Sequence, residues 1–171
     1  RELIKVHNTK VEYSFMYNDV HYNLSTFLYT ADNKHRKWFE GLLSSIKYNL
    51  DFLGESDPDK CFIGAWLASY QTNDKELIKR LEDFRSVHNY LHDTVAQILE
   101  SDMDNRATML SHATPLFSKV LNHFTDLEKY ADEKISVIVK QEKASVDAMF
   151  EASTKMTAGL EQLKNIADEG M

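Results

Sequence analysis

The sequence predicts an all-α protein: an antiparallel four-helix bundle with long first and last helices and a short Cys-bearing helix between them. Three observations carry this expectation. Gly and Pro are scarce, 5 and 2 in 171 residues, so the chain lacks the punctuation a sheet protein needs. Apolar residues return at spacings of three, four or seven over long stretches, the period of a helix that buries one stripe. Between those stretches stand only short polar clusters with turn and capping chemistry.

The first stretch, Leu3 to Leu53, holds no Pro and one internal Gly, Gly41. Its stripe runs Leu28, Ala31, Trp38, Leu42, Ile46, Leu50 and Leu53, which reads as one long helix with any break falling near Asp32-Asn33. Gly54-Glu55-Ser56-Asp57-Pro58-Asp59 is a turn cluster. In it Ser56 or Asp57 caps a short helix that starts at Pro58, where a missing N–H is harmless, and carries Cys61 to Tyr70.

Gln71-Thr72-Asn73-Asp74 is a second break, with Asn73 or Asp74 as cap for a helix ending near Asp102. The stripe of that helix is Leu77, Leu81, Phe84, His88, Leu91, Val95 and Ile98. Asp102-Met103-Asp104-Asn105 reads as a turn before a helical piece to about His112, and Thr114-Pro115 as cap and first-turn proline of the last helix. That helix carries Phe117, Val120, Phe124, Leu127, Ala131, Ile135 and Ile138, is interrupted at Glu142 and Ser145, and resumes with Met149, Ala152, Met156, Leu160, Leu163 and Ala167. Two long outer helices of this kind bring the N- and C-termini out at one end of the bundle.

Residues 1–171 are expected to form a single domain, long enough for a core and too mixed in charge for disorder. The net charge of −7, with no basic run longer than His35-Arg36-Lys37, leaves phosphate backbones nothing to pair with, so nucleic acid is excluded as a partner. No stretch approaches the roughly 20 apolar residues of a membrane span, and no secretory signal is present. The chain opens at Arg1 in what reads as the middle of a helix, so it is expected to be a soluble piece of a longer protein. Cys61 is the only cysteine, which rules out an internal disulfide and leaves its thiol free, intermolecular or metal-bound.

The chemistry lies with the histidines. His88 and His92 stand four apart on one helix, so both rings leave the same face one turn apart and can reach a common ion. The same spacing also arises in helices whose histidines only pack or face water. His35 lies seven residues from both Leu28 and Leu42, on the buried stripe of the first helix, where a bare imidazole needs a partner and a metal would supply one. Cys61 taken alone reads equally as a small buried hydrophobe.

Three segments in order, His35-Arg36-Lys37-Trp38, Asp57-Pro58-Asp59-Lys60-Cys61-Phe62-Ile63-Gly64-Ala65-Trp66 and His88-Asn89-Tyr90-Leu91-His92, together resemble the chemoreceptor zinc-binding domain of bacterial chemotaxis receptors and some diguanylate cyclases. That family carries His-x-x-Trp, Cys-x-x-Gly-x-Trp and His-x-x-x-His, and all three patterns are intact over roughly residues 30–102. The resemblance implies zinc as cofactor, held by His35, Cys61, His88 and His92. Trp38 and Trp66 are then core aromatics walling the site off from water, and Gly64 lets a neighbouring helix approach the short Cys-bearing one. His7, His21, His112 and His123 match no position of the family and read as surface or packing residues.

Four protein ligands close a zinc site, so the resemblance implies sensing rather than catalysis; no phosphate loop, nucleophile elbow or His-Glu-x-x-His occurs. The expected role is the sensory domain of a methyl-accepting chemotaxis protein that responds to zinc occupancy or to oxidation of the ligating cysteine. The long flanking helices, about residues 1–30 and 115–169, are expected to lead to membrane helices. They place the domain on the periplasmic side, with a cytoplasmic location as the alternative, and as a homodimer. The rival readings are a sensor for an unidentified small organic attractant in which zinc is only structural, a regulatory domain of a diguanylate cyclase or histidine kinase, and a pure dimerisation scaffold.

Overall fold

A computed structural model describes residues 12–170. Its first elements depart from the expected long helix. Residues 3–11 of that helix lie outside the described residues, and from Ser14 the chain forms a β-hairpin: β1 (Ser14–Tyr17) pairs antiparallel with β2 (Val20–Asn23), Ser14 opposite Asn23 and Tyr17 opposite Val20. The two-residue turn is Asn18-Asp19, with φ of 49° and 62°. Positive φ at both positions matches the twist of paired strands, and after glycine Asn and Asp tolerate it best. The strands are held by packing of their aromatic side chains. Phe15 and Tyr17 both meet Phe27 edge-on, and Tyr17 also meets Phe62. The Tyr17 hydroxyl donates to the Phe62 carbonyl at 2.7 Å.

Helix α1 spans Leu24–Tyr48 and begins in a capping box, the Asn23 side chain accepting from Thr26 N and Thr26 Oγ1 accepting from Asn23 N. It ends earlier than expected, because Asn49 turns left-handed and hands its N–H to the Ser45 carbonyl. Leu50 and Leu53, placed on the helical stripe by their spacing, therefore sit in the following loop, 57% and 95% exposed.

The short helix also starts later than expected. Pro58–Lys60 form a turn capped by Asp57, whose Oδ1 accepts from Asp59 N at 2.9 Å, and α2 proper spans Phe62–Ser69 with Cys61 as its N-cap. Helix α3 (Lys75–Glu100) is capped by Asp74, which accepts from Glu76 N and Leu77 N, and every residue of its expected stripe is buried. Only Ser101 and Asp102 separate it from α4, with Arg106 donating to the Leu99 and Ser101 carbonyls that the end of α3 leaves open.

Helix α4 runs from Met103 to Glu169 without a break, so the expected helix start at Thr114-Pro115 does not exist. Thr114 Oγ1 bonds back to the Leu110 carbonyl at 3.1 Å instead of capping forward. A proline inside a helix costs about 3 kcal/mol. Here Ala113 before it and Val120, Phe124 and Leu127 after it are all buried, and their packing holds the helix through Pro115.

The described chain is thus mostly helical, with four helices and one two-stranded hairpin. It divides into two units, each described by itself. The first, Ser14–Asp132, contains the hairpin, α1, α2, α3 and the first part of α4, and its core is built from Phe27, Leu28, Leu42, Trp66, Phe84 and Phe124. The second takes in residues 12–13 and 133–170 among those described. In it the stripe that resumes at Met149 lies open to solvent, with Met149, Met156, Leu160 and Leu163 all exposed.

Candidate metal centre

His35 on α1, Cys61 at the head of α2 and His88 and His92 on α3 are brought together inside the first unit, 3%, 8%, 0% and 0% exposed. One ligand atom from each lies within 4.8 Å of all the others. Periodicity accounts for three of these placements: His35 belongs to the inward face of α1, and His88 and His92 to that of α3, their rings 4.5 Å apart. Cys61 is placed by the Asp57 turn, its N–H donating to the Asp57 carbonyl at 3.3 Å.

The outer nitrogen of each ring is taken. His35 Nδ1 meets the Ala31 carbonyl at 2.9 Å, His92 Nδ1 the Ser56 carbonyl at 3.0 Å, and His88 Nδ1 the Asn89 Oδ1 at 3.3 Å. An oxygen of this kind only accepts, so each Nδ1 carries the hydrogen and each Nε2 is left with a bare lone pair. Those lone pairs converge. His35 Nε2 lies 3.1 Å from His88 Nε2, Cys61 Sγ lies 3.2 Å from His88 Nε2 and 3.8 Å from His35 Nε2, and His92 Nε2 is buried with no hydrogen-bond partner.

Two bare nitrogens at that separation repel, and an unpartnered buried one carries its full desolvation cost. A cation among the four atoms answers both. For a tetrahedral ion with metal–N of about 2.0–2.1 Å and metal–S of about 2.3 Å, the N–N edge is about 3.3 Å and the N–S edge about 3.6 Å. The separations among His35, Cys61 and His88 lie close to these, His92 comes no farther than 4.8 Å from the other ligand atoms, and the four residues are near enough to hold one metal ion.

The electrostatics agree with a site of neutral imidazoles. Burial pushes His35 down to about 4 and lowers His88 and His92 as well. Burial likewise raises the Cys61 thiol to about 11, opposed by the backbone N–H groups of Gly64 and Ile63. Gly64 N donates to Cys61 Sγ at 3.4 Å, so the sulfur caps α2 as a Ser or Asp oxygen would, at the end of the helix that favours a thiolate.

Gly64 is explained by this turn and not, as expected, by the approach of a neighbouring helix. A Cβ there would stand 1.6 Å from the Pro58 carbonyl oxygen and 3.3 Å from Cys61 Sγ. Trp38 does wall the site, its ring 4.6 Å from that of His92. Trp66 is buried but serves another cluster, its ring partners being Phe15, Phe27 and Tyr70. The remaining wall comes from Phe84 stacked on His88 and Phe124 against His35, two residues the sequence marks only as core. His7 lies outside the described residues, and His21, His112 and His123 stay apart from the cluster. The backbone acceptors Ala31 and Ser56 have no side-chain signature, so no sequence pattern could have identified them.

No family model, curated protein or solved structure matches this chain.

Proposed function

We propose that this chain is a zinc-binding sensory domain of a bacterial chemoreceptor, and that zinc occupancy or oxidation of Cys61 is its stimulus. The observation that carries the reading is the convergence of three bare Nε2 atoms and one sulfur, each imidazole oriented from behind by an oxygen acceptor. Three imidazoles and one thiolate are a donor set suited to zinc, and four protein ligands leave no position for a substrate water, which supports binding over catalysis. Zinc bound there would supply the positive charge that keeps the sulfur as thiolate.

The chain's own part in signalling follows from where the ligands sit. They come from α1, the start of α2 and α3, so ligation would add a tie at the head of α2 to the core contacts, such as Phe27 with Trp66, that already join these elements. A Cys61 converted to sulfinic acid is a poor ligand and would free the head of α2 from α1 and α3. In a receptor of this family the helices would pack as an antiparallel four-helix bundle in a homodimer on the periplasmic side of the membrane. No helix among the described residues is long and apolar enough to cross a membrane, so attachment would fall to flanking segments.

A second reading, recognition of a small organic attractant, draws on a cleft of about 410 Å³ bordered by Tyr90, Gln97, Met109, His112 and Pro115, away from the four ligands. Its half-open shape and the exposure of its polar lining residues Tyr90 and Gln97 favour the metal.

The test is elemental analysis of protein purified without added metal, wild type beside Cys61→Ala and His88→Ala. One zinc per chain in wild type and none in the variants is expected. Wild type that carries no zinc, and binds added zinc no better than the variants, overturns the reading.

A further inference from the structure

His88 stands in the middle of the ligand set. Its Nε2 lies 3.1 Å from His35 Nε2 and 3.2 Å from Cys61 Sγ, which are themselves 3.8 Å apart. It is also held differently from the other two imidazoles. His35 Nδ1 rests on the carbonyl one turn back, that of Ala31, and His92 Nδ1 on the Ser56 carbonyl of the loop. The His88 ring instead stacks on Phe84, the residue one turn back, and its Nδ1 meets the side chain of the next residue, Asn89 Oδ1, at 3.3 Å. Of the three supports only this one is a side chain. Helix propensity does not account for it: Asn89 lies half-buried in the interior of α3, where an amide side chain is a poorer helix former than Leu and caps nothing.

Two tautomers compete at His88. With the hydrogen on Nδ1, Nε2 offers the centre a lone pair. With the hydrogen on Nε2, the ring would donate into the centre, where His35 Nε2 and Cys61 Sγ are both near enough to accept, and that internal bond takes the place of a cation. The second arrangement suits a metal-free chain, because it relieves two bare nitrogens that face each other. Asn89 opposes it by giving the Nδ1 hydrogen an acceptor, since a buried N–H without one carries its full desolvation cost.

We propose that Asn89 is a positioning residue that selects the metal-receptive tautomer of His88 and so sets how tightly the four-ligand site takes a cation. The effect on affinity rests on the metal reading above; the tautomer of the metal-free ring stands on the hydrogen-bond geometry alone.

The test sets wild type beside Asn89→Leu, which removes the acceptor, and Asn89→Asp, which keeps it. Long-range proton–nitrogen NMR of the histidine rings, in chelator and reductant at pH 7, reads the tautomer of His88. Competition with a chelator of known strength reads zinc affinity, and denaturant unfolding reads the stability of the metal-free chain. Wild type and Asn89→Asp are expected to carry the hydrogen on Nδ1, and Asn89→Leu on Nε2. Zinc should bind Asn89→Leu at least about tenfold more weakly than wild type, and Asn89→Asp at least as tightly as wild type. Stability of the metal-free chain should hold or rise in Asn89→Leu, because Leu is the better helix former. Hydrogen on Nε2 in wild type, hydrogen still on Nδ1 in Asn89→Leu, or an affinity loss that Asn89→Asp shares overturns the proposal. So does a loss of affinity matched by an equal loss of stability, which a merely structural role would give. The spectra of the metal-free chain judge Asn89 whether or not zinc binds, so a failed metal centre and a failed Asn89 are told apart. Should Asn89→Leu fail to fold, Asn89→Ala takes its place with the same expected tautomer.

Discussion

The Trp38 ring lies over His92, centroids 4.6 Å apart, while its Nε1 donates to the Glu55 carbonyl at 2.9 Å. The next carbonyl along, that of Ser56, accepts from His92 Nδ1 at 3.0 Å. A single indole thus covers the imidazole and also pins the loop that orients it.

Trp38→Phe keeps an aromatic lid and removes the pin. The lost hydrogen bond is expected to cost about 1 kcal/mol of stability. Freeing the Ser56 carbonyl should also weaken metal binding by about tenfold, the lower end for groups that orient a ligand from behind. Denaturant unfolding and the rate of chelator-driven metal release measure the two effects. Release at the wild-type rate would show that the loop holds His92 without the indole.

Gly64→Ala forces a methyl against the Pro58 carbonyl, an obstacle made of backbone that cannot rotate aside. A loss of about 3 kcal/mol is expected, at the upper end for overpacking. The turn that must shift is the one that sets Cys61, so metal affinity should fall with stability. Thermal unfolding with and without chelator reads both, and an alanine variant with wild-type melting and metal content would contradict this account of Gly64.

Acid should unfold the metal-free chain through its histidines. His35 is held near 4 and His88 and His92 are also lowered, whereas free imidazoles titrate near 6.5. A lowered value means that the folded chain binds fewer protons than the unfolded one. The stability these rings contribute is complete above about pH 6.5 and is lost as pH falls toward 4. Glu128 contributes with the opposite sign over much of that range, so the clean quantity is the difference between wild type and His92→Gln in chelator. Wild type should lose stability relative to that variant on going from pH 6.5 to 4.5; a constant difference would mean that the His92 ring is not buried neutral.

Some of this architecture was legible because its causes are local. The stripe from Leu77 to Ile98 is buried as its spacing requires, and Asp74 caps α3 as a short acidic side chain does anywhere. The stop of α1 at Asn49 was less legible, since Leu50 and Leu53 continue the apolar rhythm into a loop. The hairpin carried a signal too: Asn18-Asp19 lies between Phe15, Tyr17, Val20 and Tyr22, aromatic and β-branched residues at strand spacing, which a reading tuned to helical periods passes over.

By itself the sequence determined the stripe of α3 and its Asp74 cap, because side-chain period and capping chemistry act within a few residues, while the set His35, Cys61, His88 and His92 was legible only through the resemblance that its three motifs carry. Tertiary structure alone decided the rest. Packing of Ala113, Val120, Phe124 and Leu127 carries α4 through Pro115 against its propensity, and the aromatic contacts of Phe15 and Tyr17 turn the chain before α1 into a hairpin. The Ala31 and Ser56 carbonyls that fix two of the ligand tautomers belong to residues whose side chains and spacing announce nothing. Such contacts exist only once water is excluded between helices, where a bare lone pair must find a cation or a proton.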